Sequence, residues 1–135
     1  DIGRPCEDSC VEFFFCPIEG DDRYLSIECN PNGCLYLGFC NTGRRIIRLL
    51  PDEVKAIEPT VEMTEGGWSV TYAVPADYVR LFFPAFELKP GKTIRANCYK
   101  CGDLTVQEHY MSWKPVEVAD PDFHVPAFFG KMTLG

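Results

Sequence analysis

RYLSIECNPNGCLYLGFC, residues 23–40, sets two short runs rich in aromatic and branched residues on either side of NPNG. Apolar side chains alternate along both runs, RYLSIEC (23–29) and GCLYLGFC (33–40), with the period of two that belongs to a strand. Asn32-Gly33 supplies turn chemistry, because both residue types tolerate the positive φ of a tight connection between antiparallel strands. The stretch therefore reads as a β-hairpin.

The same pattern continues in both directions. VEFFFC (11–16) precedes it across PIEGDD, and RIIRLL (45–50) follows across NTGR. AIEPTVEM (56–63) and WSVTYAV (68–74) make a second hairpin, joined across Gly66-Gly67. PADYVRLFF (75–83) is expected to form one short helical turn, with Pro75 near its start and Pro84 closing it. TIRANCYKC (93–101) and FFGKMTL (128–134) complete the set of strands. Short strands at regular spacing, with hardly a helix between them, predict an all-β fold, an antiparallel immunoglobulin-like β-sandwich. The 135 residues suit a single domain, 1–135.

Strand parity sorts the side chains. In WSVTYAV, Trp68, Val70, Tyr72 and Val74 share one face, which makes Trp68 core or a cover over the core. In TIRANCYKC, Ile94, Ala96 and Cys98 share a face that reads as buried. Arg95, Asn97 and Tyr99 share the other, expected to be an exposed strip suited to hydroxyl groups. Regular patterning stops after Cys101. Residues 102–128 form a long irregular segment with three prolines, and its density of Tyr, Trp, Phe and His argues for a functional loop over disorder. Trp113 lies within it, in HYMSWKPV (109–116): a lid on the core, or a platform for a flat apolar partner.

Composition excludes several classes. A net charge of −7 and a pI near 4.8 are wrong for a phosphate backbone. Arg44, Arg45 and Arg48 are the one basic cluster, read as a solvated strand edge. No apolar run approaches the roughly 20 residues of a membrane helix. The eight cysteines leave three readings open: a disulfide framework, buried reduced thiols, or zinc, for which Cys98-Tyr-Lys-Cys101 is the one C-x-x-C and Cys6/Cys10 and Cys29/Cys34 are looser pairs. The reduced reading would favour a cytoplasmic location. The chain opens on Asp1 and not Met, so its start does not give the compartment.

Nothing in the sequence announces catalysis: G-x-S-x-G, G-x-x-x-x-G-K and H-E-x-x-H are all missing. His109 and His124 with Met63, Met111 and Met132 could supply a His/Met haem ligand pair, but no C-x-x-C-H accompanies them. His124, in DPDFHVP, is expected to pin its loop.

EDSCVEFFF (7–15), YLSIECNPNG (24–33), RANCYKCGD (95–103), SWKP (112–115) and DFHVPAFFG (122–130), in that order, resemble the family 9 carbohydrate-binding modules, and more closely their bacterial family-9-like relatives. The resemblance covers nearly the whole chain. It implies a β-sandwich and non-catalytic binding of a mono- or oligosaccharide in support of glycan breakdown. Tryptophans stack on the sugar in that family, polar side chains bond its hydroxyls, and calcium often supports the fold. Carried onto this chain, it places the stacking role on Trp113 and an acidic site residue at Glu12. Glu28 falls near a position that is basic in the sugar-binding modules. Arg95, Asn97 and Tyr99, by parity, and His124 complete the expected carbohydrate-binding set; a metal set is not legible.

The sequence departs from the family pattern twice. Cys6 stands near the place of the second clamp aromatic, and the chain starts almost on the D-S-x-V-E motif, as though the first strands of the family domain were lacking. An incomplete sandwich would leave an unpaired edge that favours association. A haem-binding electron-transfer domain and a ligand-free interaction module are the alternative functions.

Overall fold

In a computed structural model of the chain, residues 7–42, 44–49 and 56–135 are described. Cys6 lies outside them, and so do the side chains of Arg44 and Arg45. The hairpin that opened the analysis forms as expected: β2 (Tyr24–Cys29) pairs antiparallel with β3 (Leu35–Asn41), and Gly33 in the turn has φ of 75°. It lies in a seven-stranded antiparallel sheet that also contains β1 (Cys10–Cys16), β4 (Arg44–Leu49), β7 (Thr93–Gly102), β8 (His109–Ser112) and β9 (Gly130–Thr133). The order is β4-β3-β2-β1-β7-β8, and β9 also pairs with β7. A bulge at Phe39/Cys40 offsets β4 against β3. The second hairpin, β5 (Thr60–Thr64) and β6 (Gly67–Thr71), forms a small separate sheet. Its two-residue turn is Glu65-Gly66, one residue earlier than expected, because Gly67 pairs with Thr64. The fold is all-β and antiparallel, a sandwich whose second layer is this hairpin and one helix.

That helix, α1 (Ala76–Phe82), makes more than the single turn expected. Pro75 stands in extended conformation at its N-cap, and Arg80 bridges to Asp77 at 2.7 Å one turn back. It buries Tyr78 and Val79 against one sheet face. The main core lies there, formed by Phe15, Leu25, Ile27, Leu37 and Ala96 of the sheet with Ile57, Phe83 and Phe86 from the second layer. Val70, Tyr72 and Val74 pack on it, as their alternation required.

The opposite face has its own smaller cluster of Phe14, Cys16, Tyr24, Cys40, Tyr99 and Phe129, with Val116 and Phe123 against it. Here the irregular segment after β7 folds across the sheet. β1 and β2 are thus covered on both sides, which is why every residue of β2 is buried. The segment is not irregular throughout: HYMS forms β8 on one half of β7, and β9 takes the other half of the same strand.

The seven described cysteines carry free thiols. Strand parity separates the C-x-x-C pair, with Cys98 exposed on one face and Cys101 buried on the other. Burial pushes the Cys16 thiol up to about 12 and the Cys29 thiol up to about 11, so at neutral pH each is a buried thiol with very little thiolate. Native alkylation followed by mass mapping should therefore modify Cys98 and Cys34 well before Cys16 and Cys29, which should react only on unfolding. Equal rates at all four would contradict the buried placement.

Candidate functional site

The registers of β1, β2 and β7 bring together side chains from distant parts of the sequence. Glu12 on β1 faces Glu28 on β2 and Tyr99 on β7, and Cys10 faces Cys101. All five are on the sheet face that the segment crosses. They are also all buried, with Glu12 8% and Glu28 2% exposed. Two carboxylates directly opposed on neighbouring strands are costly unless something answers their charge. Glu12 accepts a hydrogen bond from the Cys101 thiol at 3.0 Å.

Glu12, Glu28 and Cys101 form the floor of a cavity of about 190 Å³, whose walls are Asp103, Tyr110 and residues Pro121–His124 of the segment. Phe123 lies flat on Tyr99, with ring centroids 4.2 Å apart, and its carbonyl accepts from the Tyr99 hydroxyl at 3.2 Å. His124 lies against Phe14, its ring tilted by 31° with centroids 4.9 Å apart, and its Nδ1 is 2.7 Å from the Tyr24 hydroxyl. His124 therefore pins its loop, as expected, and also faces the cavity.

The strip of Arg95, Asn97 and Tyr99 is where the expectation of exposure fails. Asn97 is 0% and Tyr99 4% exposed, and all three hold the covering segment in place. Asn97 accepts from the Lys114 amide at 2.9 Å and donates to the Lys114 carbonyl at 3.0 Å. Arg95 donates to the Pro126 carbonyl at 3.0 Å, and to Asp22 Oδ1 at 3.0 Å and the Asp21 carbonyl at 3.2 Å in the β1–β2 turn. Burial pushes the Tyr99 phenol above its ordinary range, so it stays protonated and donates. Parity alone gave the correct face; the covering layer has no periodic signal by which it could have been foreseen.

Trp113 is brought to neither core nor cavity. The residue is 47% exposed, its amide continues the β7–β8 pairing by donating to the Cys98 carbonyl at 2.9 Å, and the Lys114 ammonium lies 4.5 Å from its ring centroid. Phe123 and Tyr110, not singled out in the sequence, are the aromatics of the cavity wall. The basic cluster is described only at Arg48, whose guanidinium stacks on Tyr36 at 4.3 Å.

The His/Met haem pair is not assembled at the cavity, whose wall contains His124 but no methionine. His109 is engaged elsewhere: its Nδ1 is 2.8 Å from the Gln107 carbonyl and its Nε2 2.6 Å from Lys100 Nζ. Calcium, which the resemblance implies, takes six to eight oxygen ligands. Among the described residues, one group of three His, Cys, Asp or Glu side chains converges, Cys10, Glu12 and Cys101. Two sulfurs and a carboxylate do not fit calcium.

Comparison with known proteins agrees with the fold. The model of carbohydrate-binding family 9 matches residues 1–134. A crystal structure of a candidate carbohydrate-binding protein from Bacteroides uniformis is 34% identical, with a TM-score of 0.83, and the match covers 100% of this chain and 65% of that one. No curated protein matches.

Proposed function

The chain belongs to carbohydrate-binding family 9, and from that membership we propose that it is a non-catalytic module that holds one saccharide unit in the Glu12–Glu28 cavity, in support of glycan breakdown. The observation that carries this reading is the opposed, buried carboxylate pair at the base of a cavity walled by aromatic rings. Carboxylates accept hydrogen bonds from vicinal hydroxyls, and such charge-assisted bonds are roughly twice as strong as neutral ones. Phe123 and Tyr110 give apolar surface for the C–H groups of a pyranose. A volume of about 190 Å³ corresponds to roughly six waters at about 30 Å³ each, which suits a single sugar residue or chain end. The acidic surroundings favour a neutral sugar over an anionic one.

The direct test is calorimetric titration with glucose, xylose, galactose, cellobiose and xylobiose in the presence of a chelator. Saturable binding is expected with at least one of them. Glu12→Gln should weaken it about 10- to 100-fold, the effect of losing a hydrogen bond to a charged group. Folded protein that binds none of the sugars would leave the interaction-module reading.

A second reading rests on the exposure of Trp113 and its place in the resemblance: the sugar stacks on that indole, outside the cavity. Trp113→Ala separates the two. Unchanged affinity favours the cavity, whereas loss in Trp113→Ala with retention in Glu12→Gln assigns the sugar to the indole.

A further inference from the structure

We propose that Cys10, Glu12 and Cys101 form a binding site for a thiophilic divalent cation of the zinc class, with one coordination position open to the cavity. This goes beyond the saccharide reading and does not depend on it. Cys10 and Cys101 are directly opposed on β1 and β7, and Glu12 follows two residues along β1 on the same face. Their ligand atoms all lie within 4.8 Å of one another, and Cys101 Sγ is 3.0 Å from Glu12 Oε1. A tetrahedral zinc with bonds of about 2.3 Å to sulfur and about 2.0 Å to oxygen sets its ligands roughly 3.5–3.8 Å apart. Small side-chain rotations meet that geometry, and the strand backbones stay where they are.

The donor set selects the ion. Two thiolates and a carboxylate favour zinc and its softer neighbours over magnesium or calcium. Cys10 lies beneath, fully buried, while Glu12 and Cys101 also line the cavity. The cavity is therefore both the path of entry and the place of the fourth ligand, a water or a hydroxyl. Binding replaces two thiol protons, which leave to solvent, with one dication; three anionic ligands then give the centre a net charge of −1.

Cobalt(II) is the probe. Reduced, chelator-treated protein should bind one equivalent, giving a thiolate-to-cobalt charge-transfer band and the intense visible bands of a tetrahedral ion, both removed by one equivalent of zinc. Cys101→Ser and Cys10→Ser should each lose the charge-transfer intensity, while Cys98→Ser, on the opposite face, should keep it. If the buried variants fold poorly, alkylation of the wild type in mild denaturant decides: zinc should protect Cys10 and Cys101 and leave Cys98 reactive. No charge-transfer band in folded wild type, or protection of a different pair of cysteines, would overturn the site. Because the sugar titrations are made in chelator, their failure and a failure here are separate results.

Discussion

Phe14→Ala should lower the stability of the protein by about 3–5 kcal/mol, the usual range for truncating a buried phenylalanine. Phe14 is fully buried at the middle of β1. Tyr24, Tyr99, His124 and Phe129 surround it, with ring centroids 5.7, 5.0, 4.9 and 6.5 Å away. The rigid sheet backbone cannot close the void, and a domain of this size has a total stability of only about 5–15 kcal/mol. Urea unfolding should show a lower midpoint with little change in slope. Phe13→Ala is the internal control, since Phe13 is half-buried on the other face, where it stacks on Phe15 at 5.1 Å; its effect should be clearly smaller. A Phe14→Ala loss below about 1 kcal/mol would mean that the covering segment collapses into the gap and is not held where it is described.

Asn97→Ala should cost about 2–4 kcal/mol, from the backbone groups it leaves unsatisfied at about 1–3 kcal/mol each. The side chain bonds both the amide and the carbonyl of Lys114, and its oxygen also accepts from the Cys98 amide at 3.0 Å. Hydrogen exchange at Lys114 and through 121–124 should accelerate more than in the β2–β3 hairpin. If the saccharide lies in the cavity, its affinity should fall in the same variant, because residues 121–124 form the wall. Asn97→Asp keeps the accepting bonds but turns a second acceptor oxygen toward the Lys114 carbonyl at a fully buried position, so it should not restore the stability. Uniform acceleration of exchange across the sheet would show instead that Asn97 supports the fold as a whole.

The two hairpins were legible because one of their faces meets the main core, and burial imposes period two on the residues. β8 was not: HYMS pairs along β7 with little of its surface buried, so nothing selected an alternating pattern. The C-x-x-C pair, one of the cysteine readings left open, is split apart for a related reason. Spacing motifs for metals presume a turn or loop, and on a strand residues i and i+3 point apart. Glu12 and Glu28 came from the family resemblance, and their opposition follows only from the register of β1 on β2. Cys10 and Cys101 belong to opposite ends of the sequence, so no spacing rule could have joined them.

β7 carries β8 on one half of its edge and β9 on the other, and the chain between them leaves that edge and returns to it. Each short partner is fixed by its own pairs, so neither register depends on the number of residues in the excursion. The entropy of closing such a loop grows only slowly with its length. The excursion is thus an exchangeable unit: additions and deletions between Trp113 and Phe129 redraw the wall of the cavity while the sheet beneath keeps its pairing. Selectivity in such a molecule can drift faster than its scaffold, and grafting another member's excursion onto the same ten-residue strand is the natural route to redesigning it.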